Sequence, residues 1–137
     1  MTRSLGLDIG DKRIGVALSD PLGILASPFT IINRSDETED IEAITNIISR
    51  HQVKQVIVGL PRSMDGSIGN QAEKVNAFTH KLGKFTEVSI ESRDERLSTV
   101  SAKRLMQGVN NKRGKKKAHD DAIAAALILQ GYLDEEH

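Results

Sequence analysis

Between Ser4 and Ser19 the chain alternates twice, broken by a turn-forming stretch at Gly10, Asp11 and Lys12. An alternation of period two commits a segment to a strand with one buried face. Leu5, Leu7 and Ile9 fall on one side, and Ile14, Val16 and Leu18 continue it on the return. The opposite side carries Gly6, Asp8, Gly10, Gly15 and Ala17. A hairpin turning at Gly10 to Lys12 therefore presents one carboxylate, Asp8, on a face almost bare of side chains. Glycine inside a strand marks a close approach by another backbone or by a ligand. Two readings follow. Either the small residues seat a packed helix and Asp8 is a partly exposed polar residue, or they leave room for a bound group beside Asp8.

The rest of the chain alternates strand-like and helix-like segments, which points to an α/β class. Ala26 to Ile32 reads as a third strand after Pro21 and Gly23. Ser35, Asp36 and Glu37 cap a helix carrying Ile41, Ile44, Ile47 and Ile48 at helical spacing and ending near His51. Val56, Ile57 and Val58 form the short apolar run of a strand buried on both faces, so strand, helix and strand suggest a parallel crossover. A loop from Gly59 to Gly69 sits at that strand's carboxyl end, where open α/β sheets bind ligands. A helix with Ala72, Val75, Phe78 and Leu82 ends at Gly83; Val88 and Ile90 mark a strand, and Ser92 to Arg96 the loop beyond it. A short helix over Val100, Leu105 and Met106 and a last helix from about His119 to Leu133 complete the expectation.

At 137 residues the chain is expected to be one domain spanning residues 1–137, large enough for a real core. No apolar run approaches the ~20 residues of a membrane span, and strand-like alternation starts too early for a signal peptide. The absence of Cys excludes disulfides, thiolate zinc sites and cysteine nucleophiles. A cytoplasmic location fits. Formal net charge is zero, against a globally basic nucleic-acid coat, but Lys112, Arg113, Lys115, Lys116 and Lys117 make one run almost wholly basic. Such a run can hold a phosphate backbone in an otherwise neutral protein. Three Phe, one Tyr and no Trp leave too little for a base-stacking platform.

Three acidic sites stand at element ends or beside small neighbours: Asp8, the pair Asp94 and Glu95, and the pair Asp120 and Asp121 that opens the last helix. Carboxylates are hard oxygen ligands suited to Mg²⁺ or Mn²⁺. Two such ions about 3.5–4 Å apart are a general means of cleaving phosphodiesters. Each acid also has a plainer reading, as a helix cap or a partner of a helix dipole. The last helix resists that reading, since it is apolar nearly all round and so carries its acids inward.

Leu7-Asp8-Ile9-Gly10 with Ile14-Gly15-Val16-Ala17, and Val58-Gly59-Leu60-Pro61 with Met64-Asp65-Gly66, resemble the YqgF family, also called RuvX. So do Asp94-Glu95-Arg96-Leu97-Ser98-Thr99 and the closing helix with Asp121, Ile128, Leu129 and Tyr132. Members are described as Holliday junction resolvases or pre-16S rRNA nucleases. The resemblance runs over essentially the whole chain. It implies an RNase H-like α/β fold: a five-stranded mixed sheet, its first three strands antiparallel, with helices on both faces. It also implies a carboxylate triad of Asp8, Glu95 and Asp121 holding one or two Mg²⁺ or Mn²⁺ ions, the small-residue face then being room for metal and scissile phosphate. One departure is Asp120, where the family usually has an apolar residue; the resemblance favours Asp121 as the ligand.

The activity implied is nuclease cleavage of structured RNA, a ribosomal precursor first, with a branched DNA such as a four-way junction as runner-up. Phosphate contacts are expected from Lys12 and Arg13 on the hairpin turn, Arg96, and the run Lys112, Arg113, Lys115, Lys116 and Lys117. A homodimer stays open. Two rivals belong to other classes: a nucleotide-binding domain, because the Asp-Ile-Gly strand also resembles actin-like ATPases, and a nucleic-acid-binding module whose acids are structural.

Overall fold

The alternation at the amino end becomes a hairpin. In a computed structural model that describes residues 3–60, 69–94 and 116–136, β1 (Arg3–Ile9) and β2 (Arg13–Ser19) pair antiparallel with Asp8 opposite Gly15. Of residues 94, 116–120 and 136 it describes the backbone alone. β3 (Ala26–Asn33) adds antiparallel to β2, with a register shift between Val16 and Ala17. α1 (Glu37–Arg50) starts at Asp36, whose Oδ1 accepts the Glu39 N–H at 2.8 Å, satisfying a donor that the first turn leaves free. The chain then crosses to β4 (Val53–Leu60), which runs parallel to β1. α2 (Asn70–Leu82) leads to β5 (Ser89–Asp94), parallel to β4, and α3 (Lys116–Glu136) closes the described chain.

The sheet order is β3-β2-β1-β4-β5. It is a five-stranded mixed sheet with its first three strands antiparallel, as the resemblance implies. Its two faces follow from the strand period. Leu5, Leu7, Ile9, Ile14, Val16, Val56 and Val58 pack against Ile41, Ile44 and Ile48 of α1 and Val75, Phe78 and Leu82 of α2. Ala17 and Ile57 face the other way, against Ala125, Ile128, Leu129 and Tyr132 of α3. The run Val56-Ile57-Val58 is wholly buried because it serves both cores.

Two boundaries differ from expectation. β5 continues through Asp94, because Ser92, Arg93 and Asp94 pair with Val58, Gly59 and Leu60; backbone pairing overrides their polar side chains. α3 begins at Lys116, ahead of His119, consistent with lysine and alanine being good helix formers. Lys116 and Lys117 are therefore helical in backbone. The expected short helix over Val100 to Met106 and most of the Gly59–Gly69 loop lie outside the described residues.

Candidate active site

The small-residue face of the hairpin is filled by a helix. A Cβ on Gly6 would stand 2.8 Å from the Ala125 carbonyl oxygen and 2.8 Å from Leu129 Cβ, and one on Gly15 would overlap the Asp121 carbonyl. The helix backbone thus lies directly on the two glycines, so at Gly6 and Gly15 the face is closed rather than the open room for metal and phosphate that the resemblance suggested. The packing has a second effect. Gly15 pairs with Asp8 across the hairpin, and the helix turn pressed onto Gly15 is the one that carries Asp121. Seating the helix is what brings the two acids together.

Their proximity has an electrostatic cost. The half-buried Asp8 carboxyl is pushed from 3.8 to about 6, first by burial and then by the negative charge of Asp121. Asp121 has a counter-charge: Arg13 Nε donates to its Oδ2 at 2.8 Å, with the two side chains 27% and 31% exposed. Further bonds pin α3 along its length. Gln130 accepts from the Ala26 N–H at 2.8 Å and donates to the Ile24 carbonyl at 2.9 Å. Gln55 Nε2 donates to the Tyr132 hydroxyl at 2.7 Å. Arg93 grips Glu135 with both Nη atoms, at 2.6 and 2.8 Å. The position of Asp121 is therefore set by the whole helix.

Comparison with known proteins places the fold in a family. The family profile described as "RuvX: Holliday junction resolvase" matches residues 2–135. The chain belongs to the RuvX family. A relative from Desulforamulus reducens, named "Putative pre-16S rRNA nuclease", is 47% identical over 132 residues, covering 96% of each chain. One of the same name from Carboxydothermus hydrogenoformans is 48% identical over 130 residues, covering 95% of this chain and 94% of its own. Among solved structures, T. thermophilus RuvC in complex with a Holliday junction substrate superposes with a TM-score of 0.67 at 11% identity, over 99% of this chain and 97% of that one. The fowlpox virus resolvase with its Holliday junction superposes at 0.56 and 15% identity, over 98% and 99%. At such identities the likeness is one of fold, and that fold is RNase H-like.

Within this RuvX fold the expected site residues divide into two groups. Asp8, Arg13 and Asp121 are brought together, and Lys12 is exposed on the adjoining turn. Glu95, Arg96, Lys112, Arg113 and Lys115 lie outside the described residues, as do the side chains of Lys116 and Lys117. Among the described residues no group of three or more metal-ligating side chains forms. The two that do meet suit a hard cation, being oxygen donors of which, among the described residues, Asp121 alone has a cationic partner at hydrogen-bond distance. β1, β4 and β5 are parallel, so the end of β5 before Glu95 shares the sheet end that carries Asp8.

The sequence reading missed two RuvX residues beside the site. Arg34 Nη1 donates to the Gly10 carbonyl at 2.8 Å, and its Nε donates to Asp40 Oδ2 at 3.1 Å. Asp40 is 2% exposed. A signal was available: Asp40 falls four residues before Ile44 and eight before Ile48, on the buried stripe of α1. An acid on an apolar stripe needs a partner, and Arg34 is six residues upstream.

Proposed function

We propose that the chain is a divalent-metal-dependent nuclease that hydrolyses phosphodiester bonds in structured nucleic acid, a cytoplasmic ribosomal RNA precursor first. The observation that carries this reading is the convergence of Asp8 and Asp121, from opposite ends of the sequence, at the sheet end where open α/β sheets bind ligands. Membership of the RuvX family and relatives named as pre-16S rRNA nucleases support it.

Asp8, Glu95 and Asp121 would hold Mg²⁺ or Mn²⁺. Arg93, near the end of β5, lies against α3 at Gly131 and Glu135, while Glu95 lies outside the described residues and enters the triad on the family resemblance alone. When bound, such ions supply an activated water and stabilise the departing oxygen. The protein's own residues do the rest. Asp8 loses its proton near pH 6 and is ionised at neutral pH. Arg13 holds Oδ2 of Asp121 and so orients its other oxygen. Lys12, Arg96 and the basic run from Lys112 to Lys117 supply cations for substrate phosphates.

The test is cleavage of a precursor 16S rRNA end and of a four-way DNA junction side by side, with and without Mg²⁺ or Mn²⁺. The expected result is metal-dependent cleavage of the RNA, abolished by Asp8→Asn and by Asp121→Asn with the fold intact. Asp120→Asn should cost little if Asp121 is the ligand. Junction cleavage without RNA cleavage would move the substrate to branched DNA, the reading carried by the family description. Full activity of Asp8→Asn would sink the triad.

A further inference from the structure

The hairpin turn between Asp8 and Arg13 is held from outside the site. Gly10 N–H donates to the Arg13 carbonyl at 2.8 Å and closes the turn. Arg34, just beyond β3, then grips it twice. Its backbone N–H donates to the Lys12 carbonyl at 3.0 Å, and its Nη1 donates to the Gly10 carbonyl at 2.8 Å. The guanidinium is fixed in turn on two further sides. Asp40 Oδ2 accepts from Nε at 3.1 Å, while Asp40 Oδ1 accepts the Ser35 N–H at 3.1 Å. The buried Phe78 ring of α2 lies 5.0 Å from the guanidinium carbon.

A carboxylate only 2% exposed is expensive to bury unless its partners are well placed. Among the described residues, both hydrogen-bonding partners of the Asp40 carboxylate, Arg34 Nε and the Ser35 N–H, set Arg34 and the bend around it. Arg34 bonds neither site acid, but the segment it clamps has Asp8 at one end and Arg13, the partner of Asp121, at the other. We propose that Arg34, locked by Asp40, is a positioning residue for the acids that would hold the metal, fixing the turn so that Asp8 and Asp121 keep their relative placement. This rests on the nuclease reading above and adds the device that preorganises its site. A planar fork that donates to a carbonyl and a carboxylate at once is a task lysine cannot reproduce.

The experiment uses the full chain and two readouts: Mn²⁺ affinity, followed by the paramagnetic resonance of free Mn²⁺, and hydrogen exchange at the Gly10 amide. In Arg34→Lys the helices should keep their circular dichroism, Gly10 should exchange at least tenfold faster, and Mn²⁺ should bind about 10–100-fold more weakly, as happens when a group that orients a metal ligand is removed. Asp40→Asn leaves Arg34 in place with a weaker acceptor. It should shift both readouts in the same direction by less, and it decides the matter if Arg34→Lys does not fold. Mn²⁺ affinity within twofold of wild type in the folded variants overturns the proposal, even if Gly10 exchange rises, since the clamp is then only structural. Wild-type protein that binds Mn²⁺ no better than Asp8→Asn overturns the nuclease reading itself. The positioning proposal falls with it, and Gly10 exchange then reports only on the turn itself.

Discussion

Asp8 reaches its ionised form only against burial and the charge of Asp121, which lift its carboxyl from 3.8 to about 6. The sign of the consequence follows from linkage. Between those values the folded chain holds a proton that the unfolded chain has released, so stability falls as pH rises, and above about 6 the full penalty is in place. At roughly 1.4 kcal/mol per pH unit the penalty is on the order of 3 kcal/mol. Asp8→Asn removes it. Urea unfolding in chelator should therefore find Asp8→Asn more stable than wild type by about that amount at pH 8, with the difference closing as pH falls through 6 toward 4. Equal stability at pH 8 would mean that Asp8 is not strained. The same proton competes with a cation. Mn²⁺ affinity should be level above pH 6 and fall about tenfold per pH unit below it, because binding must first displace one proton; titrations at several pH values check this. Arg13 adds little to stability, since an ion pair with side chains 27% and 31% exposed is worth at most about 1 kcal/mol. Its contribution is directional, through the single oxygen it holds.

At the scale of elements the decisive contact is α3 on the hairpin. At Gly15 an added methyl would collide with the Asp121 backbone carbonyl, which can yield only if the helix lifts. Gly15→Ala should destabilise the chain by about 1–3 kcal/mol or more, as overpacking does, and weaken Mn²⁺ binding with it. Gly131, on the same helix, is the contrast: the atoms nearest its added methyl are those of the Arg93 guanidinium, at 3.1–3.5 Å, and a flexible side chain can move. Thermal unfolding should find Gly131→Ala near neutral or stabilising. This pair of glycines also shows what could be read in advance. The hairpin was legible because its period-two alternation has only one solution with a buried face. The two readings of its small residues were not exclusive: a helix does occupy that face, and by doing so it delivers Asp121 to Asp8. That Arg13 would meet Asp121 across 108 positions was not legible, since nothing local to a turn encodes a partner on another element. The carboxyl end of β5 was hidden because Ser92, Arg93 and Asp94 look like a loop until β4 pairs with them. Asp40 was legible in principle from its place on the stripe of α1, but an acid near a helix start usually needs no more explanation than the dipole, and that hides it.

The whole chain balances 19 basic against 19 acidic residues, so any attraction to a phosphate backbone must come from local clustering. One stretch of the sequence concentrates basic residues. The run Lys112, Arg113, Lys115, Lys116 and Lys117 leads directly into α3, which begins at Lys116, little more than a turn before Asp121. A helix amino terminus favours anions through its free N–H groups and its dipole. Basic side chains placed there would draw a phosphate strand toward the acid pair, which alone would repel it. The expected signature is electrostatic and indifferent to sequence. Replacing all five residues by Gln should weaken binding of a precursor rRNA end and of a four-way junction alike. The slope of log affinity against log salt should flatten by roughly 0.7–0.9 for each phosphate that is no longer neutralised. Fluorescence titrations at several salt concentrations, in Ca²⁺ or with Asp8→Asn as background to prevent cleavage, measure that slope. A variant with weaker binding and an unchanged slope would show the effect to be indirect, through a disturbed start of α3. An unchanged affinity would make the run a solvated surface and leave Lys12, Arg13 and Arg96 as the substrate's cationic contacts.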